Sequence, residues 1–143
     1  MHARESFPDE CCGWLTGEKN SRTANGVRKA VNTYDKETHP TAKDRTAQTA
    51  FVISDKDLLE LNQTLDDDIK PLIIYHSHPN GRAYFSETDR NNAVDPWGSG
   101  PAYPVQQIVI GINNDRIVEA KQFAWDTESE DFVEVATFEG SDI

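Results

Sequence analysis

The chain has 143 residues, of which 36% are hydrophobic and 27% are charged, a size and composition typical of one globular domain. Its 14 basic and 25 acidic residues give a formal net charge of −11, which argues against broad electrostatic binding to phosphate backbones of nucleic acids. No apolar run reaches membrane-spanning length, and the first nine residues lack the pattern of a secretory signal, so the cytoplasm is the expected location.

The first half of the chain predicts three strands, which span Cys11–Gly17, Val27–Tyr34 and Phe51–Ile53. Residues 35–48 are polar and predict a long loop. Ser54, with Asp57 three residues later, is a carboxylate variant of the capping box and predicts the beginning of a helix. Three leucines then fall on one stripe of this helix, at Leu58, Leu61 and Leu65. Such a stripe is typical of a helix that packs on a sheet.

The second half predicts four more strands, which span Lys70–His78, Gln106–Ile112, Arg116–Trp125 and Phe132–Phe138. The unbroken apolar run at Leu72–Tyr75 predicts a central strand that is buried on both faces. A short helix is expected at Ser86–Val94, followed by a second long loop at Asp95–Pro104. Helices and strands interleave without a regular βαβ rhythm. The pattern therefore favours an α+β domain or a three-layer α/β/α domain, built on a curved mixed sheet flanked by helices.

The two cysteines of the chain, Cys11 and Cys12, are adjacent. Neighbouring residues of a strand point to opposite faces, so these two are not expected to form a disulfide with each other. Thiols can act as metal ligands or nucleophiles, but small buried hydrophobic residues are the commoner role, and we favour it here.

The most informative segment is His76-Ser77-His78, after which seven residues lead to Ser86-Glu87-Thr88-Asp89. Residues i and i+2 of a strand face the same side, so both imidazoles can point at one place. A catalytic zinc site has three nitrogen, sulfur or oxygen ligands and an open position for water. Asp89 can supply the third ligand if the chain folds back over the end of the strand. An ion held there would polarise a carbonyl and lower the pKa of its water.

Each half of this pattern also has a structural interpretation. A His-x-His pair on a strand is often solvated, and Ser86-x-x-Asp89 is equally a capping box that begins a helix. Their joint presence after a buried strand favours the metal site. Ser86 can cap the helix and still present its hydroxyl to a developing oxyanion. Hydrolysis further needs a general base. Glu10 is a candidate, but the residue pattern alone does not select it from 25 acidic residues, and an exposed carboxylate is the alternative.

Glu10, His76-Ser77-His78-Pro79 and Ser86-x-x-Asp89 together resemble the JAMM (JAB/MPN+) metalloprotease family, over nearly the whole chain. The segment Pro8–Gly17 is similar to the Glu-containing segment of prokaryotic members. The resemblance implies one domain over residues 1–143 with the JAB/MPN, cytidine-deaminase-like architecture. It implies one zinc ion per chain, with a catalytic water, bound by His76, His78 and Asp89. It further implies that Glu10 is the general acid/base and that Ser86 stabilises the tetrahedral intermediate.

The same resemblance implies a substrate and a binding mode. Family members hydrolyse an amide or isopeptide bond after the C-terminal tail of ubiquitin, or of a ubiquitin-like or sulfur-carrier protein. The tail is bound extended, through main-chain hydrogen bonds. Two insertions that shape the channel would fall near residues 35–48 and 95–104. In the second, Trp97 and Tyr103 are candidate tail contacts, although loop aromatics more often serve packing.

Family members usually carry a full helix before the catalytic glutamate, whereas nine residues precede Glu10 here. We therefore expect part of the N-terminal helix to be missing, which leaves open whether the chain is a monomer or a homodimer. No nucleic acid or membrane partner is expected.

Three other functions stay open. His78-Pro79-Asn80-Gly81 also resembles the RadC-like DNA-repair relatives, although the acidic charge argues against DNA and Pro8–Gly17 fits the peptidase branch better. A non-catalytic MPN interaction module is a second alternative, which the retained ligands disfavour. A zinc hydrolase of a small amide is the third, because the motif describes the metal site and not the substrate.

Overall fold

The computed structural model describes residues 3, 7, 10–18, 24, 26–30, 53, 55–79, 81–86, 89–90, 93–94, 100–101, 105–113 and 116–142. Their strands and helix are, in chain order, β1 (Cys12–Glu18), β2 (Gly26–Ala30), α1 (Asp55–Thr64), β3 (Ile69–His78), β4 (Gln106–Ile112), β5 (Arg116–Asp126) and β6 (Asp131–Asp142). The strands form one sheet in the order β2-β1-β3-β4-β5-β6. The pairing of β3 with β4 is parallel and the other pairs are antiparallel, so the predicted mixed α+β class is confirmed.

β3 is the central strand of the part of the sheet that carries the candidate site. It lies between β1 and β4, and its last five residues, Ile74 to His78, are all buried. Because consecutive residues of a strand face opposite sides, this run is buried on both faces of the sheet. The predicted central strand is therefore confirmed, although Leu72 and Ile73 of the predicted buried run are only half-buried and the burial extends instead to His78.

Helix α1 covers one face of the sheet. Leu61 is fully buried there, and Leu58 and Leu65 pack beside it, so the predicted leucine stripe is confirmed, with Leu65 one residue past the end of the helix. Full burial of a leucine side chain contributes about 1.5–3 kcal/mol relative to exposure. The cluster around Leu61 comprises Cys12, Trp14, Ala30, Ile53, Ile74 and Val105.

Two further clusters complete the described core. The first, on the opposite face, comprises Ala3, Cys11, Tyr75, Ile112 and Ile117. The second packs the chain that follows β3 against β4, β5 and β6, and comprises Ala83, Ala93, Val109, Phe123 and Phe132. The two cysteines are free thiols and belong to clusters on opposite faces of the sheet.

Several predicted boundaries differ from the structure or lie outside the described residues. The last predicted strand continues beyond Phe138 to Asp142. The predicted cap Ser54, nearly all of both long loops and residues 31–34 of the second predicted strand lie outside the described residues. In the predicted helix that begins at Ser86, the amide of Arg90 donates to the Ser86 carbonyl at 2.9 Å, which is the i to i−4 bond of an α-helix. Among the described helices, none has the length and apolar character needed to span a bilayer.

Candidate metal centre

Three donor atoms converge at the carboxyl end of β3. His76 Nε2 lies 3.2 Å from His78 Nε2 and 3.0 Å from Asp89 Oδ2, and His78 Nε2 lies 3.1 Å from the same oxygen. All three residues are buried. A tetrahedral zinc ion with bonds of about 2.0–2.1 Å has ligands about 3.3 Å apart, so the donors have the spacing and the chemistry of a zinc site.

The geometry of the sheet accounts for this convergence. His76 and His78 are two residues apart on β3 and therefore face the same side. The chain then turns back after Pro79, and Asp89 returns to the strand end. The structure thus brings together the three residues that the sequence predicts as ligands.

A second carboxylate also reaches the histidines. Glu10 is 4% exposed, and one of its carboxylate oxygens lies within 4.8 Å of a ring nitrogen of both His76 and His78. These three buried residues could by themselves hold a metal ion. The Asp89 oxygen lies 3.0 and 3.1 Å from the two imidazole nitrogens, distances that suit a third ligand. The alternative of an exposed carboxylate at Glu10 is wrong.

Burial and neighbouring groups bring His76 and Asp89 to the protonation states that bind metal. Burial lowers the pKa of His76, against the opposing effect of Asp89, and so favours the neutral imidazole. Burial alone would raise the pKa of Asp89, but contact with the imidazole of His76, and then with that of His78, outweighs burial and holds this pKa below its ordinary range. A neutral imidazole and a carboxylate are the forms that metals require.

Ser86 and Asp89 form a reciprocal pair at the beginning of their helix. The Ser86 amide donates to Asp89 Oδ2 at 3.1 Å, and the Asp89 amide donates to Ser86 Oγ at 3.0 Å. This is a capping box, and the oxygen it uses is the one that points at the histidines. The capping and ligand interpretations of Asp89 are therefore compatible. The Ser86 hydroxyl accepts one bond there and still has its own hydrogen to donate.

His78 is oriented by the main chain. Its Nδ1 lies 3.0 Å from the carbonyl oxygen of Arg82. Since a carbonyl only accepts, Nδ1 carries a hydrogen, and Nε2, beside Asp89 and His76, is the nitrogen available to a metal. The ring of Tyr84 packs on His78, with centroids 4.8 Å apart. Sequence reasoning missed both contacts, because neither the carbonyl of Arg82 nor an exposed tyrosine carries a motif.

Ser77, between the two histidines, faces away from them and holds β1 against β3. The amide of Cys11 donates to Ser77 Oγ at 2.8 Å, and the amide of Ser77 donates to the Cys11 carbonyl at 3.1 Å. Sequence reasoning also missed this role. The available signal was a serine between two histidines of a buried strand, because alternation of side chains along the strand places its hydroxyl on the opposite, buried face. The predicted tail contacts Trp97 and Tyr103 lie outside the described residues.

Comparisons with known proteins give one family and one fold. Residues 1–127 match the family described as prokaryotic homologs of the JAB domain. Curated proteins of Mycobacterium tuberculosis and Mycobacterium bovis, each named CysO-cysteine peptidase, are 32% identical over 97 residues. The match covers 66% of this chain and 58% of theirs, so the chain spans less than two thirds of the length of these relatives.

Two solution structures are similar over most of the chain. A protein of Desulfitobacterium hafniense has a TM-score of 0.61 at 20% identity, and one of Salinibacter ruber has a TM-score of 0.58 at 18% identity. Each match covers 94% of this chain and 80% of the other. At these identities the two structures show a shared fold.

Proposed function

The chain belongs to the prokaryotic JAB family, and from that membership we propose that it is a zinc-dependent peptidase or isopeptidase of the JAMM type. The observation that carries the proposal is the convergence of His76 Nε2, His78 Nε2 and Asp89 Oδ2 to within 3.2 Å of one another. Two imidazoles and one carboxylate are a donor set of catalytic zinc sites, which keep one position open.

In this proposal His76, His78 and Asp89 hold the ion. A zinc ion bound there would supply a Lewis acid that polarises the scissile carbonyl and makes water a stronger acid. The buried position of His76 and the charged state of Asp89 keep both side chains ready to bind at neutral pH.

Glu10 is the proposed general base and general acid. Its carboxylate takes a proton from the attacking water and returns it to the leaving amine as the carbon–nitrogen bond breaks. Its distance of up to 4.8 Å from the histidine nitrogens suits contact through one water molecule. Ser86 is proposed to donate its hydroxyl hydrogen to the carbonyl oxygen as negative charge develops there. The capping box holds this hydroxyl beside Asp89.

The proposed substrate is a ubiquitin-like or sulfur-carrier protein with an extended C-terminal tail. The support is the similarity to relatives that are named CysO-cysteine peptidase. By that similarity the bond cut here would be the one that joins the tail to a small amine-bearing group. Trp97 and Tyr103 stay proposed contacts of the tail, and the cytoplasm stays the proposed location.

The test is incubation of the zinc-loaded protein with the ubiquitin-like and sulfur-carrier proteins of its own host. Each would be extended at its tail by cysteine, by a short peptide, or by an isopeptide-linked lysine. Mass spectrometry should show that the extension is cut off directly after the last residue of the tail, and a chelator should stop this cleavage. If every extension stayed intact with zinc bound, the proposed peptidase function would be wrong.

A further inference from the structure

One short segment, Gly81–Ala83, crosses the sheet directly beside the candidate metal centre, and we name it the crossing segment. It lies over a row of three paired residues. His78 of β3 pairs with Gly111 of β4, and Gly111 pairs with Glu119 of β5. Residues paired in register on neighbouring strands face the same side of a sheet. His78 and Glu119 therefore share one face, with the glycine between them.

Gly111 is what allows the chain to cross there. A Cβ at this position would lie 2.6 Å from the Gly81 carbonyl oxygen and 2.9 Å from the Arg82 nitrogen, both main-chain atoms. Gly81 itself has a φ of 81°, in the left-handed region that favours glycine. Both glycines therefore let the crossing segment lie flat on β4, between the imidazole and the carboxylate.

The crossing segment bonds to both neighbours through a single peptide group. His78 Nδ1 donates to the Arg82 carbonyl at 3.0 Å, and the Ala83 amide donates to Glu119 Oε2 at 3.0 Å. The carbonyl of Arg82 and the amide of Ala83 belong to the same planar peptide unit. A carboxylate that accepts from the N–H end of a peptide polarises it, which strengthens the carbonyl as an acceptor.

We propose that Glu119 is a positioning residue for the metal centre and acts on His78 through the Arg82–Ala83 peptide. It fixes the peptide plane, the plane fixes the hydrogen on Nδ1, and Nε2 then presents its lone pair to the ion. Groups that hold metal-binding histidines in this way usually do so directly, and here one peptide intervenes. The inference rests on the metal site of the proposed function but not on its substrate or reaction.

The test compares Glu119→Ala and Glu119→Gln with Glu139→Ala as the control. Glu139 pairs with Glu119 on β6 and is exposed, so its removal takes the same charge from the same row. We expect Glu119→Ala to weaken zinc binding by about 10- to 100-fold in competition with a chelator. Glu119→Gln keeps an acceptor oxygen without the charge and should lose less. Glu139→Ala should bind as the wild type does.

A second measurement needs no metal and no activity. In the metal-free wild type, nitrogen NMR should show His78 with its hydrogen on Nδ1, and the Ala83 amide should exchange slowly. Glu119→Ala should speed that exchange and mix the tautomers. Equal zinc affinity of Glu119→Ala and wild type, or a wild-type His78 with its hydrogen on Nε2, would overturn the inference. If Glu119→Ala does not fold, Glu119→Gln and the wild-type tautomer decide the question.

The two proposals can fail separately. A wild type that binds zinc but cleaves no tail extension contradicts the peptidase function, while weaker zinc binding in Glu119→Ala still supports the positioning role. A wild type that binds no zinc overturns both.

Discussion

Ser77 and Cys11 are joined by two hydrogen bonds, one through the serine hydroxyl at 2.8 Å and one through its amide at 3.1 Å. They are 66 residues apart in the chain and both are buried. Each is the direct neighbour of a residue of the candidate centre, since Glu10 precedes Cys11 and Ser77 lies between the two histidines. The pair therefore sets the distance between the proposed base and the proposed ligands.

Replacing Ser77 by alanine leaves the buried amide of Cys11 without its acceptor. We expect the free energy of unfolding to fall by about 1–3 kcal/mol, because a buried donor loses its hydrogen bond. Turnover should fall by up to about 100-fold through misplacement of Glu10, with little change in zinc affinity. Urea unfolding, steady-state kinetics and chelator competition measure the three quantities. Ser77→Thr keeps the hydroxyl and should restore most turnover, so equal loss in both variants would contradict this role.

Glu10→Gln removes the proposed base and keeps the shape of the side chain. It should bind zinc as the wild type does and lose turnover by a factor of at least about 100, the usual contribution of general acid–base catalysis. Glu18→Gln is the matched control, because Glu18 is an exposed carboxylate at the end of β1, the strand that follows Glu10, and this variant should be fully active. A Glu10→Gln protein that cleaves at the wild-type rate would refute the assigned mechanism.

The two carboxylates near the histidines can be distinguished by metal binding. Asp89→Ala removes the oxygen that lies 3.0 and 3.1 Å from the imidazoles. It should weaken zinc binding by more than about 100-fold, because loss of a residue that only contacts a ligand costs about 10- to 100-fold. His78→Ala should lose both metal and activity. Glu10→Ala should retain zinc, as measured by metal content after gel filtration. If Glu10→Ala lost zinc and Asp89→Ala retained it, Glu10 would be the ligand and Asp89 only a helix cap.

The buried thiol of Cys12 should lower the free energy of unfolding at alkaline pH. Burial, with repulsion from Cys11, Asp57 and Glu10, raises the pKa of its thiol from 9.0 to about 12. The unfolded chain releases this proton above pH 9.0 while the folded chain keeps it to about pH 12, so the unfolding free energy falls as pH rises between them. The slope from one such group reaches at most about 1.4 kcal/mol per pH unit.

Urea unfolding of the metal-free protein at about pH 8 and about pH 10.5 measures this effect, since the range spans the unfolded pKa of a thiol. Cys12→Ala should be less stable than the wild type at the lower pH, because it leaves a small cavity, yet should lose less stability on the shift to the higher pH. Identical pH dependence in both proteins would show that the thiol keeps its ordinary pKa when folded.

Much of the fold followed from local pattern. The apolar run before His76 identified the central strand, and the leucine stripe around Leu61 identified the buried face of α1. The end of β6 could not be predicted in this way. Its pairing with β5 continues to Asp142, opposite Arg116, through main-chain hydrogen bonds that need no alternation of apolar residues.

The candidate site divides along the same line. Strand periodicity places His76 and His78 on one side, and spacing suggested Asp89, whose role as a ligand stays a prediction. Glu10 depended on the family resemblance, because its nearness to the histidines arises from the pairing of β1 with β3. The positioning role proposed for Glu119 could not be predicted from the sequence for a related reason. It depends on the register of three strands and on the missing side chain of Gly111.

The return of Asp89 from beyond the end of β3 has a kinetic consequence. We expect Asp89 to reach the two histidines only after β3 has paired in the sheet, so an ion held by these three ligands would bind the native state and not the folding nucleus. Interactions absent from the transition state slow unfolding and leave the folding rate nearly unchanged. Zinc should therefore lengthen the lifetime of the folded chain in stopped-flow urea jumps. An equal gain in the refolding rate would show that the site forms early.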